Sequence, residues 1–291
     1  MPDSIYRDFD GAQLEWQYSP RAHTPDHDAA IAEGLAHSTA YRETARNARY
    51  DIAYGASASE TLDLFLPDDP RGAPVELYIH GGFWRSRDKK DFSHLAAPLV
   101  DAGGISAIAN YDLCPSVTLD EIVRQMRACI AWLHRNIAGY GGDPARIHVC
   151  GHSAGGHLTA MMLATDWPDF DPALPADTVK SAIPVSGVFD LEPILNTSVQ
   201  DDVRLDAESA RRNSPALLPA AAGPRVAVAV GADESEEFRR QSRDYAESLR
   251  RQGLEAECFE MPARNHFNIM TDSARPGDRL GETRLRLMGL R

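Results

Sequence analysis

The stretch Arg146-Ile147-His148-Val149-Cys150-Gly151-His152-Ser153-Ala154-Gly155-Gly156-His157-Leu158 decides how the rest of this chain is read. Its first part, Arg146–Cys150, is an apolar run of strand length, and its last part is a small-residue segment that predicts a helix from Ala154. Between them Gly151-His152-Ser153-Ala154-Gly155 spells G-x-S-x-G, the corner that lifts a serine out of a tight strand-to-helix turn. A serine hydroxyl is a weak nucleophile until it stands within reach of a base. Gly151 and Gly155 leave room for a strained backbone and for close helix–strand packing. The first turn of the following helix would aim free N–H groups, that of Ala154 first, at a developing oxyanion. Five matching letters alone are weak; the strand before and the helix after give them weight.

Moving outward, strands and helices alternate. Arg49–Tyr54 and Thr61–Leu66 read as a strand pair across the turn residues Gly55–Ser59. Val75–Ile79, Ile105–Ala109, Val179–Val185, Arg225–Val230 and Glu255–Glu260 read as further strands. Helical patterns fall at Asp26–Tyr41, Asp91–Ala102, Phe238–Gln252 and from Thr271 onward. Thr118–Ile137 is the strongest helix: Leu119, Ile122, Val123, Met126, Ile130 and Leu133 recur at three-to-four spacing, and Thr118 with Glu121 has capping-box spacing. The expectation is one α/β domain over 1–291: a mostly parallel sheet with antiparallel N-terminal edge strands and helices on both faces. Residues 1–48 form a helical extension, and 191–224 is a polar, Pro-containing insertion, a cap or a plain surface connection.

A serine nucleophile needs a base, an acid and an oxyanion site. His80-Gly81-Gly82-Phe83-Trp84 ends the strand Val75–Ile79, where the N–H of Gly82 or Phe83 can turn inward as the second oxyanion donor. In this arrangement the acid and then the histidine follow the serine. His266, in Asn265-His266-Phe267, is the only histidine after His157 and falls just past the last strand. Gly231-Ala232-Asp233-Glu234 offers two adjacent carboxylates. Spacing from the glycine selects Glu234; residue type favours Asp233; Asp190 is a third candidate. Whichever lies buried against the imidazole would fix its tautomer.

Thirty Lys+Arg against 43 Asp+Glu give a net charge of −13 in 291 residues. That balance opposes phosphate backbones and anionic membrane surfaces, so nucleic acid and membrane are not expected partners. No apolar run reaches the roughly 18 residues of a membrane span, and Met1–Asp8 lacks the basic-then-apolar pattern of a secretory leader. A cytoplasmic enzyme with free thiols is expected, because Cys114, Cys129, Cys150 and Cys258 lack metal or redox spacing. His148, His152 and His157 cross from strand through turn to helix and cannot share one face, so no metal is expected. No organic cofactor is needed either.

With these residues in view, the chain resembles the kynurenine formamidase (arylformamidase) family of α/β-hydrolases, related to the hormone-sensitive-lipase-like esterases. The likeness runs from Tyr50 through most of the chain. It rests on His80–Trp84, Asn110-Tyr111-Asp112-Leu113, Gly151–Leu158, Ser186–Ile194, Arg212-Asn213-Ser214-Pro215 and Glu237-Phe238-Arg239-Arg240-Gln241-Ser242. Laid against the family without a gap, Glu234 falls on the acid position, where the family usually has Asp. The resemblance implies removal of the formyl group from N-formylkynurenine, and hence a small-molecule aryl amide or ester as partner, with a homodimer left open. Phe83, Trp84, Trp167, Phe189 and Phe267 cluster near the proposed site and would suit an aryl substrate. A carboxylesterase on short acyl esters uses the same machinery; a non-catalytic ligand-binding protein on this fold is the third reading.

Overall fold

The computed structural model describes residues 4–291; the first three residues of the 1–48 extension, where the leader reading of Met1–Asp8 also begins, lie outside the described residues. Eight strands form one sheet: β1 (Ala48–Ala53), β2 (Thr61–Phe65), β3 (Ala73–Ile79), β4 (Ile105–Ala109), β5 (Gly142–His152), β6 (Val179–Val185), β7 (Arg225–Gly231) and β8 (Ala256–Met261). Their order is β1-β2-β4-β3-β5-β6-β7-β8. The β1–β2 and β2–β4 pairs are antiparallel and all others parallel. β4 and β5 flank β3, which places the ends of β3 and β5 side by side, with Ile79 opposite Gly151. The fold is that of an α/β-hydrolase.

Strand side chains alternate between faces, and the core divides accordingly. Val75, Leu77, Ile79, Ala107 and Val149 pack with Ile122, Met126, Ile130 and Leu158 from the helices Leu119–Asn136 and Ala154–Leu163. Tyr78, Ile108, Cys150, Ile183 and Ala229 face the other way, onto Leu95, Ile269, Leu280 and Leu287. On that second face Arg284 and Glu76 form an ion pair of 2.6 Å with both side chains almost wholly buried.

Local chemistry sets the boundaries. Thr118 caps the helix Leu119–Asn136 by accepting from the Glu121 N–H (3.3 Å), but the Glu121 carboxylate turns to Arg124 rather than closing the box. The helix expected from Phe238 starts at Glu236, because Ser235 is its cap. The single helix expected over Asp91–Ala102 is a 3₁₀ stretch, Lys89–Ala96, followed by an α-turn, Ala97–Asp101; Pro98 has no N–H to continue the earlier spiral. The C-terminal helical tail is two helices, Ile269–Ser273 and Arg279–Met288, separated at Pro276-Gly277, where Gly277 has φ 78°.

Candidate active site

β5 ends at His152, and Ser153 follows with φ 57° and ψ −120° before the helix starts at Ala154. That conformation costs a non-glycine residue about 1–3 kcal/mol and persists only where its surroundings enforce it. They do: the Ser153 N–H donates to the Val185 carbonyl (2.9 Å), and the helix packs so closely on β3 that a Cβ on Gly155 would sit 1.9 Å from the Ile79 carbonyl oxygen. The loop after β3 closes over the corner from the other side, where a Cβ on Gly81 would meet the Ser153 Cβ at 2.9 Å.

Three successive residues of that loop, Gly82, Phe83 and Trp84, have positive φ (114°, 48° and 56°). The Tyr111 hydroxyl holds the loop in place by donating to the His80 carbonyl (2.8 Å), with its ring stacked on the His80 imidazole at 4.4 Å. The Cys114 N–H donates to the Trp84 carbonyl (2.8 Å). Among the described residues, nothing accepts from the N–H groups of Gly82, Phe83 or Ala154.

In the acid turn after β7 the two neighbouring carboxylates differ in burial and partners. Glu234 is buried, and its Oε2 accepts from His266 Nδ1 at 2.6 Å. Its Oε1 accepts from the Ser186 hydroxyl (2.5 Å) and the Gly231 N–H (2.8 Å). Three donors on one buried carboxylate fix its position. Asp233 is exposed, and Asp190 accepts instead from the Glu192 N–H (3.1 Å). Ser186, with φ 49° just past β6, was not singled out from the sequence; its only signal was its place in the Ser186–Ile194 motif.

Ser153, His152 and His266 line one cavity of about 230 Å³ together with Gly81, Gly82, Phe83 and Phe267. The His152 ring lies 4.6 Å from that of His266. Burial first, and the His266 charge second, hold the His152 imidazole well below its ordinary pKa. Much of the rest of the cavity lining comes from the N-terminal extension (Glu15, Tyr18–Arg21, Ala30, Ile31, Gly34 and Leu35), with Ser198 and Val199 from the 191–224 insertion. His23 of the extension also sits close to the dyad: burial, then the His266 charge, lowers its pKa.

Three of the five aromatics expected against substrate are elsewhere. Trp84 is fully buried, its ring edge-on to His157 at 5.0 Å. Trp167 belongs to the core beneath the sheet's first face. Phe189 stacks on Tyr245 at 4.3 Å. Each ring is packed on the inside, and burying it there outweighs exposing it to a cavity; of the five, Phe83 and Phe267 line the cavity. His148 bonds the Ser181 hydroxyl and His157 the Asn213 carbonyl, both at 2.7 Å. The four cysteines are unpaired. No helix among the described residues is long and apolar enough to cross a membrane.

A sheet of this order with a strained serine after β5 defines an α/β-hydrolase. Comparison with known proteins agrees. The BD-FAE family model matches residues 62–227. A kynurenine formamidase of Danio rerio is 34% identical over 269 residues, 89% of each chain. The probable carboxylic ester hydrolase LipM of Mycobacterium tuberculosis is 32% identical over 81% of this chain and 59% of its own. A crystal structure from Silicibacter sp. TM1040 superposes with a TM-score of 0.81 at 30% identity, covering 92% of this chain and 97% of that one. The chain belongs to the kynurenine formamidase family and is a hydrolase of formamide or ester type.

Proposed function

We propose that the enzyme hydrolyses an aryl formamide of the N-formylkynurenine kind through a formyl-enzyme on Ser153. The observation that carries the reading is the Glu234–His266 bond of 2.6 Å, with His266 and the strained Ser153 lining one cavity. Glu234 holds Nδ1–H, leaving Nε2 of His266 as the base. Nε2 takes the Ser153 proton as Oγ bonds to the formyl carbon, and the oxyanion rests on the N–H groups of Ala154 and of Gly82 or Phe83. The C–N bond then breaks as His266 returns the proton to the aniline nitrogen. Water, deprotonated by the same imidazole, attacks the formyl ester; formate leaves and the serine is restored.

Support for the aryl formamide comes from the Danio rerio relative and from Phe83 and Phe267 on the cavity wall. The second reading, a carboxylesterase on short acyl esters, has the mycobacterial relative in its favour. The fold's single sheet supports treating 1–291 as one domain, and the lining residues support assigning 1–48 as the main cover.

Side-by-side kinetics on N-formylkynurenine, its N-acetyl counterpart and p-nitrophenyl acetate test the proposal. The formamide should show the highest kcat/KM. Ser153→Ala should lose at least ~10³-fold in turnover and all labelling by an organophosphonate. An ester preference of orders of magnitude would move the assignment to the second reading.

A further inference from the structure

Five fully charged side chains line the cavity: Glu15, Arg21, Arg85, Arg87 and Asp91. Three have partners. Both Glu15 oxygens accept from Ser198 (2.7 and 2.6 Å), Arg85 donates to Asp202 (2.6 Å), and Arg21 reaches His27 (3.2 Å) and Asp28 (3.6 Å). Arg87 and Asp91 differ. Their closest approach is 3.8 Å, beyond hydrogen-bond reach, with side chains only 26% and 16% exposed. Among the described residues, nothing accepts from the Arg87 guanidinium and no side chain donates to the Asp91 carboxylate. Such partly buried charges cost stability unless something completes them. The Arg87 backbone is itself left-handed (φ 82°), the kind of strain that gathers at ligand clamps. Arg87 and Asp91 line the same cavity as His152 and Ser153.

We propose that Arg87 and Asp91 form a subsite for the zwitterionic head of an α-amino acid borne by the substrate, a reading that rests on the proposed aryl-formamide reaction. The guanidinium fork takes the α-carboxylate with two parallel bonds, and the Asp91 carboxylate takes the α-ammonium. One α-carbon separates the two charges of the ligand, as a short gap separates the two of the protein. The subsite would thus select aryl formamides that carry an amino-acid side arm over bare anilides.

Binding to the intact enzyme, followed by calorimetry, separates this from the reaction assignment. The probes share a ring and differ in charge: L-kynurenine carries both charges, kynuramine the ammonium only, 2-aminoacetophenone neither. L-Kynurenine should bind the parent at least ~10-fold more tightly than 2-aminoacetophenone. Arg87→Met should erase most of that advantage while shifting 2-aminoacetophenone less than about twofold, and Arg87→Lys should restore part of it. Asp91→Asn should weaken L-kynurenine and kynuramine together. Equal affinity of the three probes for the parent, or an Arg87→Met loss shared equally by all three, overturns the subsite. Charge discrimination that survives in an enzyme inert toward N-formylkynurenine would overturn the reaction and leave the subsite standing.

Discussion

Glu234→Gln keeps the size of the acid and removes its charge. On the proposed mechanism the amide no longer holds Nδ1–H, so His266 falls into the wrong tautomer. Turnover should drop on the order of 10³–10⁴-fold with KM little changed. Asp233→Asn, on the exposed neighbour, should stay within about threefold of the parent. Equal losses, or a larger loss at 233, would return the acid role to Asp233. Ordinary residue-type statistics point to aspartate here. Spacing points to Glu234, and the Gly231 N–H and the Ser186 hydroxyl both donate to that longer side chain, which supports the proposed role. The aromatics show where such reading stops. Chain position tells that Trp84 and Phe189 lie near the elbow, but not whether their rings turn to the cavity or to the core. That choice depends on partners remote in sequence, His157 and Tyr245. Arg87 and Asp91 were invisible for a different reason: a charge pair four residues apart looks like solvated surface.

At the scale of elements, periodicity and small-residue corners made the sheet legible, whereas the layers between elements were not. Strands β4 and β6 fall where their apolar runs predict, at Ile105–Ala109 and Val179–Val185. The Gly155 backbone touches the Ile79 carbonyl, a contact that a glycine after a nucleophilic serine already implies. Nothing in the pattern of β3 announced that Glu76, in an otherwise apolar strand, is matched by Arg284 more than 200 residues later. The Arg284 guanidinium spends its donors on both Glu76 oxygens (2.6 and 3.1 Å) and on the Leu95 carbonyl (3.1 Å), tying the Arg279–Met288 helix to the sheet. Arg284→Met would strand a buried carboxylate. The cost should be about 3–5 kcal/mol, seen as a lower urea midpoint at unchanged slope. Arg284→Met with Glu76→Leu should recover most of it, because a dry apolar pair in that place is often as stable as the ions. A single variant within about 1 kcal/mol of the parent would show that water or a shifted helix already relieves the pair.

At the scale of the molecule, much of the cavity lining comes from the chain's first 48 residues, the proposed cover and the segment whose sequence was least informative. Polar and alanine-rich, it carries few core-like positions. Yet Leu14 and Tyr18 are buried, and the segment is fastened through the C-terminal half of its first helix, Gly11–Gln17. Glu15 clasps Ser198, and the Ser235 hydroxyl donates to the Gln17 carbonyl (2.7 Å). The Tyr18 hydroxyl donates to Glu237 (2.9 Å) and accepts from Gln241 (2.7 Å). These contacts bind the extension to Ser198 and to the Glu236–Arg251 helix and its cap, and none of them reaches a strand of the sheet. Tyr18→Phe removes one buried hydroxyl and leaves two buried partners short of a bond, a cost of roughly 1–3 kcal/mol. If the extension is a cover fastened to an independent core, that loss is local. Amide exchange across Gly11–Tyr18 should accelerate about tenfold or more, with β5 amides unchanged. KM should rise and kcat fall less, because Glu15 and Tyr18 border the cavity and touch neither Ser153 nor His266. Equal acceleration in β5 would mean that cover and sheet open as one unit, and the extension would then be part of the fold rather than a lid upon it.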